Sequence, residues 1–430
     1  MARVIGMDIG TTSISGVVLD AGDGRLIAHT THEHRAEVPL TAPHQTGWAE
    51  QDPHRLWETA CLVLRKLIDT GGSDPAAIGL TGQMHGVLLL DENDQPVGNL
   101  ITWQDRRSDG IIGDLIASAP AEAWQTTGCR LAGGYMAATL AWMVRHHALP
   151  RTARRAAFIH DWVASRLAGS TCCTDPSDAA SAGIFDLVAK SWSAALVRAL
   201  DLPAELLAEI RESGQVIGQV PREVARTTGL RAGVPVCNAI GDNQASFLGS
   251  VAEPAESVLV NIGTGGQISW LVDGLAYGPG MEVRYLPINR FIAVGAGICG
   301  GRTYAWLEEF YRRVVESFTD QRPSPGQLYD RMNQLAAQSA PDTGGLRCRP
   351  TLAGTRVDPN LRGALEGLDL VNFNPPNLTR AVLTGVTDEL LGFYRNCDPR
   401  RRSEHRLVVG SGNALRRNRV LAEILAQRLE

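Results

Sequence analysis

Lysine is almost missing from this chain: Lys66 and Lys190 are the only two, and every other basic side chain is arginine. A phosphate site here must therefore be built from backbone amides, a metal ion or arginine. Runs of basic residues are missing too. Arg400–Arg402 and Arg416–Arg417 are short clusters that read as a solvated loop and a helix start, and the net charge is −5. Both observations argue against a nucleic-acid partner. The eight cysteines (61, 129, 172, 173, 237, 299, 348 and 397) contain no CxxC pair and no metal-ligand spacing. That excludes a zinc module, and their apolar surroundings, such as 234–240, read as reduced, buried thiols of a cytoplasmic protein. No apolar run approaches membrane-spanning length, and no charged-then-apolar leader precedes the first strand, so a soluble protein with no membrane partner is expected. At 430 residues with 44% apolar and 20% charged side chains, the chain exceeds the size at which one core stops growing, and two domains follow.

What the chain does have is one segment twice. Met7-Asp-Ile-Gly-Thr-Thr-Ser13 and Val260-Asn-Ile-Gly-Thr-Gly-Gly266 each run from an apolar strand through Gly-Thr into a second apolar strand. Such a hairpin tip offers consecutive N–H groups and a hydroxyl, which bind phosphate oxygens without a cationic side chain. The copies differ at one telling place, Asp8 against the uncharged Asn261. A carboxylate beside phosphates is repelled unless a cation lies between them, which points to Mg²⁺ on the first side only. One such turn alone would be an ordinary hairpin. The pair with shared flanks favours phosphate binding.

Strands are expected over 3–10, 14–20 and 25–34, a helix over 53–70, and strands over 77–80 and 87–90. The stretch 108–226 reads as mostly helical, with helices over 112–118, 136–147, 151–167, 193–200 and 204–212 and an irregular polar segment over 174–181. A strand over 234–240 leads to a helix over 245–251, then the second hairpin and a strand over 291–294. Helices over 303–318, from 325 onward and over 379–395 follow, with a loop-rich 341–374 between. A strand over 406–409 and a helix over 418–429 end the chain. Strands alternating with helices, with a repeat spaced by about half the chain, indicate two α/β domains descended from one unit, divided between 242 and 257.

Asp242 stands at a strand's end and a helix's start, where an Asp serves as an N-cap or as a carboxylate that takes a proton from an attacking hydroxyl; both roles can coexist. His85 follows a buried strand at the edge where α/β sites lie, against the ordinary case of a structural histidine. Gly300-Gly301 and Gly410-Ser-Gly412 each follow a strand and precede a helix, which permits close backbone approach to a ring or a phosphate.

In residues and order, Asp8-Ile-Gly-Thr-Thr12, Gly82-Gln-Met-His-Gly86, Trp103-Gln-Asp-Arg106, Asp161-Trp162, Thr174-Asp-Pro-Ser177, Gly241-Asp-Asn243, Asn261-Ile-Gly-Thr-Gly265, Gly300-Gly301 and Gly410-Ser-Gly-Asn413 resemble the FGGY carbohydrate kinases of the actin-like ATPase superfamily. The resemblance spans Arg3 to the C-terminus. It implies an α/β fold of two ribonuclease-H-like domains, 1–245 for the sugar and 246–430 for the nucleotide, with ATP and sugar meeting in the interdomain cleft. By that resemblance Asp242 is the catalytic base, and Asp8 and Asp242 lie near Mg²⁺. Thr11, Thr12 and Ser13 would lie on the terminal phosphates, Thr264 and Gly265 on the nucleotide phosphates, and Gly301, Gly410, Ser411 and Asn413 around the adenosine. The sugar would meet Met84, His85, Asp242 and Asn243, with Trp103 and Tyr135 as neighbours.

Within the family, the Gln-Met-His-Gly and Trp-Gln-Asp-Arg motifs look like the ketose kinases rather than the glycerol branch, and are most similar to the sedoheptulokinase-like group, with xylulokinase next. The implied reaction is ATP-dependent phosphorylation of a terminal hydroxyl of a ketose. Two features depart from the family's pattern. Ser15 stands where many relatives carry Lys or Arg, and the chain stops at Glu430 where relatives continue with a strand and a helix. They motivate a second reading, a catalytically impaired sugar-binding or regulatory homologue. They also lead us to expect the apolar stripe Val420, Leu421, Ile424, Leu425 and Leu429 to be exposed, to weaken the second domain or to be covered in a homodimer. A chaperone or filament ATPase of the same superfamily is disfavoured by the helical block 108–226.

Overall fold

Strand β1 (Arg3–Ile9) turns Ile5, Met7 and Ile9 inward, and β2 (Ser13–Asp20) does the same with Ile14, Gly16 and Val18. This period of two fixes which face meets the core. β3 (Leu26–Glu33) completes an antiparallel meander. Helix α1 (Pro53–Leu67) is capped by the Asp52 carboxylate, which accepts from His54 N at 2.8 Å, and opens on a proline, whose missing N–H costs nothing there. It buries Leu56, Ala60, Leu64 and Leu67 against the sheet. Glycine is required beneath it: a Cβ on Gly16 would sit 2.7 Å from Leu67 Cδ1 and 2.8 Å from Val63 Cγ1.

Further along lie β4 (Pro75–Gly82), α2 (Met136–Arg145), α3 (Ile159–Ala168), α4 (Pro176–Ser181), β5 (Val216–Gln219), β6 (Pro235–Cys237), β7 (Ile240–Gly241) and α5 (Asp242–Ser250). They complete a seven-stranded sheet ordered β5-β6-β4-β1-β2-β3, in which β7 also pairs with β4. β4 runs parallel to β1, and β6 and β7 run parallel to β4. A separate core, including Leu140, Phe158, Ile184 and Leu196, serves the helical block.

The second sheet repeats the arrangement. β8 (Ser257–Ile262) and β9 (Gly266–Val272) form the second hairpin. With β10 (Met281–Leu286), β11 (Arg290–Gly297) and β12 (Leu407–Ser411) they give the order β10-β11-β9-β8-β12, with β12 parallel to β8. Helices α6 (Gly301–Phe318), α7 (Pro325–Gln338), α8 (Pro375–Arg395), α9 (Asn413–Arg417) and α10 (Arg419–Leu429) accompany it.

This computed structural model describes every residue except 1, 43–44, 73, 276–277, 279, 298, 356–357, 359, 396–403 and 430, so the 400–402 arginine cluster and Cys397 lie outside the described residues. The chain divides into two units, Met1–Ser246 with Arg284–Arg290, and Phe247–Val283 with Phe291–Glu430. The short segment Arg284–Arg290, which runs from the end of β10 through the turn into β11, is grouped with the first unit, whereas the expected second domain ran continuously over 246–430. Among the described residues no disulfide is formed, and no helix is long and apolar enough to cross a membrane.

Four expectations are corrected. Over 151–167 the first half is no helix: Arg155–Ala157 is a strand paired with Leu88–Leu90, and α3 begins only at Ile159. Over 204–212 the chain forms one 3₁₀ turn, Ala204–Leu206, and then a strand, Glu209–Ile210, paired with Cys173–Thr174. The irregular segment 174–181 is instead α4, capped by Asp175 with proline at its start; six small and polar residues carry no apolar stripe to betray it. Finally, the C-terminal stripe is not exposed. Val420, Leu421, Ile424 and Leu425 are buried in one cluster with Leu383, Val386 and Leu390 of α8, and Leu429 packs against it. A second subunit is not needed to cover that face.

The α1 contact gives a stability test. Leu64 is fully buried, so Leu64→Ala should lower the unfolding free energy by about 2–5 kcal/mol. Denaturant titration of the two proteins checks it, and a change under about 0.5 kcal/mol would show that α1 is not part of the cooperative core.

Candidate functional site

Three strands deliver the first group of candidates to one edge. β1 ends at Ile9, one residue past Asp8, and pairs in parallel with β4, Asp8 against Thr81 and Ile9 against Gly82. β7 pairs with the same two residues of β4, Ile240 against Thr81 and Gly241 against Gly82. Asp8, Gln83-Met84-His85 and Asp242 are therefore brought together by register. This carboxyl edge is where ligands of parallel α/β sheets bind.

Asp8 is half-buried, and its Oδ1 is sealed with no hydrogen-bond partner. Its pKa is raised to about 6, first by burial and then by the Asp242 carboxylate, with His160 partly offsetting both. Asp242 is raised chiefly by the protein packed around it, against the lowering effects of Arg284, His160 and the Asn243 N–H. Although crowded, Asp242 is exposed at its surface, and that exposure decides whether a hydroxyl can reach it. Two carboxylates with raised pKa values, one of them raised in part by the other and carrying an orphaned buried oxygen, fit a hard divalent cation such as Mg²⁺ held between them.

His85 has a left-handed backbone, φ 76°. It is held there by its own N–H to Ser181 Oγ (3.1 Å) and by Nδ1 to the Ser181 carbonyl (2.9 Å). The carbonyl can only accept, so Nδ1 carries the proton and Nε2 is left as the acceptor nitrogen. The ring stacks on the buried Tyr135 at 4.2 Å and 12°. Met84 is buried with its sulfur 3.9 Å from Arg284 Nη1, and Asn243 is buried beside Asp242.

Trp103 is exposed and donates from Nε1 to Thr11 Oγ1 at 3.0 Å. Gly134 (φ 79°) makes room for it, since a Cβ there would lie 2.1 Å from the Trp103 carbonyl oxygen. The Thr11 hydroxyl donates to Gln83 Oε1 (3.4 Å), Gln83 Nε2 to Gln51 Oε1 (2.9 Å), and Gln51 Nε2 back to the Thr11 carbonyl (2.7 Å). This closed ring pins the first Gly-Thr turn. Thr12 is exposed at the tip, while Ser13 begins β2 and its carbonyl accepts from Gly10 N at 3.1 Å. Ser15, directly opposite Asp8 in the hairpin, shares a hydrogen bond with Thr31 at 3.0 Å.

The second group is built from backbone. In the β8–β9 turn Gly263 N donates to Gly265 O at 3.0 Å. The start of α6 docks on it through Gly301 N to Gly263 O (2.8 Å) and Arg302 N to Thr264 O (3.0 Å). No Cβ fits here: one on Gly300 would lie 2.3 Å from Gly265 O and one on Gly301 2.5 Å from Gly263 O. Gly412, at φ 90°, would place a Cβ 2.4 Å from Ile262 O and 2.6 Å from Asn261 Oδ1. Register brings Ser411 beside Asn261, and Gly410 beside Val260. Thr264, Gly265, Gly301, Gly410, Ser411 and Asn413 thus share one edge of the second sheet, in a cradle whose walls are peptide groups.

Sequence reasoning missed several residues here. Arg284 is buried against Met84, Gln51 holds the turn, and His160 lies close enough to act on both aspartates. Glu389 of α8, whose pKa burial raises to about 7, would be 3.1 Å from a Cβ on Gly297. The one sequence signal was His160-Asp161 inside the apolar run Ala156–Ala164, where charge is out of place.

Paired carboxylates at one strand edge and an amide-walled cradle at another are the parts of a phosphotransferase. Comparison with known proteins agrees. The description "FGGY family of carbohydrate kinases, N-terminal domain" matches residues 3–249. A glycerol kinase from Methylibium petroleiphilum is 30% identical over 390 residues, 86% of this chain and 73% of its own. A xylulose kinase from Staphylococcus xylosus is 27% identical over 398 residues, 90% of this chain and 78% of its own. Among solved structures, xylulose kinase from Rhodospirillum rubrum superposes with a TM-score of 0.85 at 26% identity, covering 99% of this chain and 85% of its own. Gluconate kinase from Lactobacillus acidophilus, at 24% identity and a TM-score of 0.84 over 99% of this chain and 84% of its own, shows the fold alone. The chain belongs to the FGGY family of carbohydrate kinases. It is an ATP-dependent phosphotransferase with two ribonuclease-H-like α/β domains.

The elevated pKa of Asp8 has a consequence for stability. Because the folded value, about 6, lies above the ordinary 3.8, the folded state favours the protonated form. Its ionisation therefore costs stability, an effect absent below the unfolded value and complete above the folded one. Without divalent cations, Asp8→Asn should raise the unfolding temperature at about pH 7.5, with the gain fading as the pH falls from about 6 to about 4. A gain independent of pH, or none, would show that Asp8 carries no such strain.

Proposed function

We propose that this kinase transfers the terminal phosphoryl group of ATP to a terminal hydroxyl of a ketose, with sedoheptulose preferred over D-xylulose. The observation that carries the site assignment is the register that sets Asp242 and Asp8 beside Met84 and His85 at one strand edge. The stacked His85–Tyr135 pair and the exposed Trp103 offer a wall for a polyol, the Nε2 of His85 accepting from a hydroxyl. Asn243 and the methyl end of Met84 border the same place. Asp242 orients the attacking hydroxyl and accepts its proton as the bond to phosphorus forms, which is the part a base plays in a loose transition state. Asp8 and Asp242 would hold Mg²⁺, which neutralises charge on the transferring phosphates. Thr11, Thr12 and Ser13 supply the turn for the terminal phosphate, in which the ring through Gln51 and Gln83 fixes residue 11. Thr264 and Gly265 would hold the nucleotide phosphates through amides, with Gly301, Gly410, Ser411 and Asn413 around the adenosine.

The sugar preference rests on the Gln-Met-His-Gly and Trp-Gln-Asp-Arg motifs. Xylulose kinases stand among the relatives and solved structures, which favours D-xylulose as the second reading. Glycerol kinases are also among the relatives, so glycerol belongs in the test as a third acceptor. An impaired homologue, the reading prompted by Ser15, predicts no turnover with any of them.

With ATP and Mg²⁺, kcat/KM measured for sedoheptulose, D-xylulose and glycerol decides among these, and a clear preference for either of the latter overturns the order. Asp242→Asn should retain fold and ligand binding while lowering turnover by about two to four orders of magnitude. Near-normal activity in that variant would reduce Asp242 to a helix-start residue.

Trp103→Phe keeps an aromatic face and removes only the donor to Thr11. One such bond contributes about 1 kcal/mol, so kcat should fall about fivefold while the KM for ATP stays within twofold. An unchanged kcat would detach the Trp103–Thr11 bond from the reaction.

A further inference from the structure

A group of sealed polar atoms near the two aspartates is left unused by phosphoryl transfer. His160 and Asp161 open α3, Asp178 lies in α4, and Thr174 precedes it; all four are at most 1% exposed. His160 Nε2 is 2.8 Å from Asp178 Oδ2. Yet neither ring nitrogen of His160 and neither oxygen of Asp178 meets hydrogen-bond geometry, although Asp178 lies against Asp175. The oxygens of Asp161 make no hydrogen bond of good geometry either, and the Thr174 hydroxyl beside them is close enough to lower the Asp161 pKa. One donor atom each from His160, Asp161 and Asp178 lie within 4.8 Å of one another.

Buried polar atoms without good partners are costly, and native interiors rarely keep several together. Shared protons would stabilise the group only along aligned donor–acceptor pairs, and the His160–Asp178 contact does not meet that geometry. Two ligands of one metal ion look different. With metal–ligand bonds of about 2.1 Å, adjacent donors sit about 3 Å apart, and their lone pairs converge on the ion rather than on each other. The short contact of His160 with Asp178, outside hydrogen-bond geometry, has that form, and Asp161 supplies a third donor.

We propose that His160, Asp161 and Asp178 hold a structural transition-metal ion, with the Thr174 hydroxyl as a neighbouring donor. One imidazole and two carboxylates suit Mn²⁺ or Zn²⁺ better than Mg²⁺, which prefers oxygen alone and keeps its waters. The site is distinct from the pair Asp8 and Asp242, whose edge is open to solvent at Asp242. Being sealed, it fills as the chain folds. The ion ties α3 to α4, and Ser177 of α4 donates no further than its neighbours: its Oγ accepts from Gly241 N at 3.0 Å and donates to Asp175 at 2.7 Å. The metal therefore braces the backbone that presents Asp242.

The untagged chain, expressed with added Mn²⁺ and Zn²⁺ and dialysed against EDTA, is assayed by elemental mass spectrometry. About one equivalent of Mn or Zn per chain is expected, falling at least about tenfold in Asp161→Asn and His160→Gln and unchanged in Asp8→Asn. Unfolding and refolding in EDTA should lower the unfolding temperature, and adding back Mn²⁺ or Zn²⁺ should restore it. If the variants do not fold, the unaltered protein decides: less than about a tenth of an equivalent overturns the proposal. Retention of the metal by Asp161→Asn overturns it too, as does loss of the metal in Asp8→Asn.

Discussion

The parallel pairing of β4 with β1, residue against residue from Val4–Ala77 to Ile9–Gly82, is the constraint on which the first unit depends. It places the Gly-Thr turn and the Gln83–His85 segment at one edge, and β7, pairing at the end of the same strand, adds Asp242. A slip of one residue would send Asp8 to the opposite face and exchange the inward set Ile5, Met7 and Ile9 for its outward neighbours. The gathering of these side chains at one edge is in this sense a by-product of core burial. The second sheet solves the problem in the same way, with β12 parallel to β8 and Ser411 beside Asn261.

Electrostatics separates the two copies. The first gathers acidic groups at and below its edge, Asp8, Asp242, Asp161, Asp175 and Asp178, all with pKa values raised first by burial. The fixed positive charge that acts on Asp242 is Arg284, from β10. The second copy has Asn261 in place of Asp8 and is walled by peptide groups. The first edge is acidic and the second is uncharged and walled by peptide groups.

Much of this was legible in the sequence because it is written locally. The duplicated Gly-Thr turn named both edges, and period-two burial in β1 and β2 reproduced the expected strands. The misses were non-local. Arg155–Ala157 became a strand only because Leu88–Leu90 lay open to pairing, and α4 formed from small polar residues through an Asp cap rather than an apolar face. Gln51 precedes α1, far in sequence from the turn it holds, and Arg284 belongs by chain to the second half but by contacts to the first. No spacing rule joins such residues, since their proximity is created by the sheet. The C-terminal stripe was read correctly as apolar and wrongly as unpartnered, because the α8 residues that cover it could not be paired with it from sequence.

The peptide-walled cradle limits what evolution can do with the second unit. Side chains can be exchanged one atom at a time, but the amides of Gly263, Gly265 and Gly301 have no variants. Each of the glycines 300, 301 and 412 abuts a carbonyl oxygen too closely for even a methyl group. Drift in that region must therefore accumulate around the cradle and leave its floor unchanged. Under the proposed function, new acceptor preferences would arise instead at the replaceable side chains Met84, His85, Trp103 and Tyr135. A family built this way can diversify in what it phosphorylates while staying tied to one kind of phosphate donor.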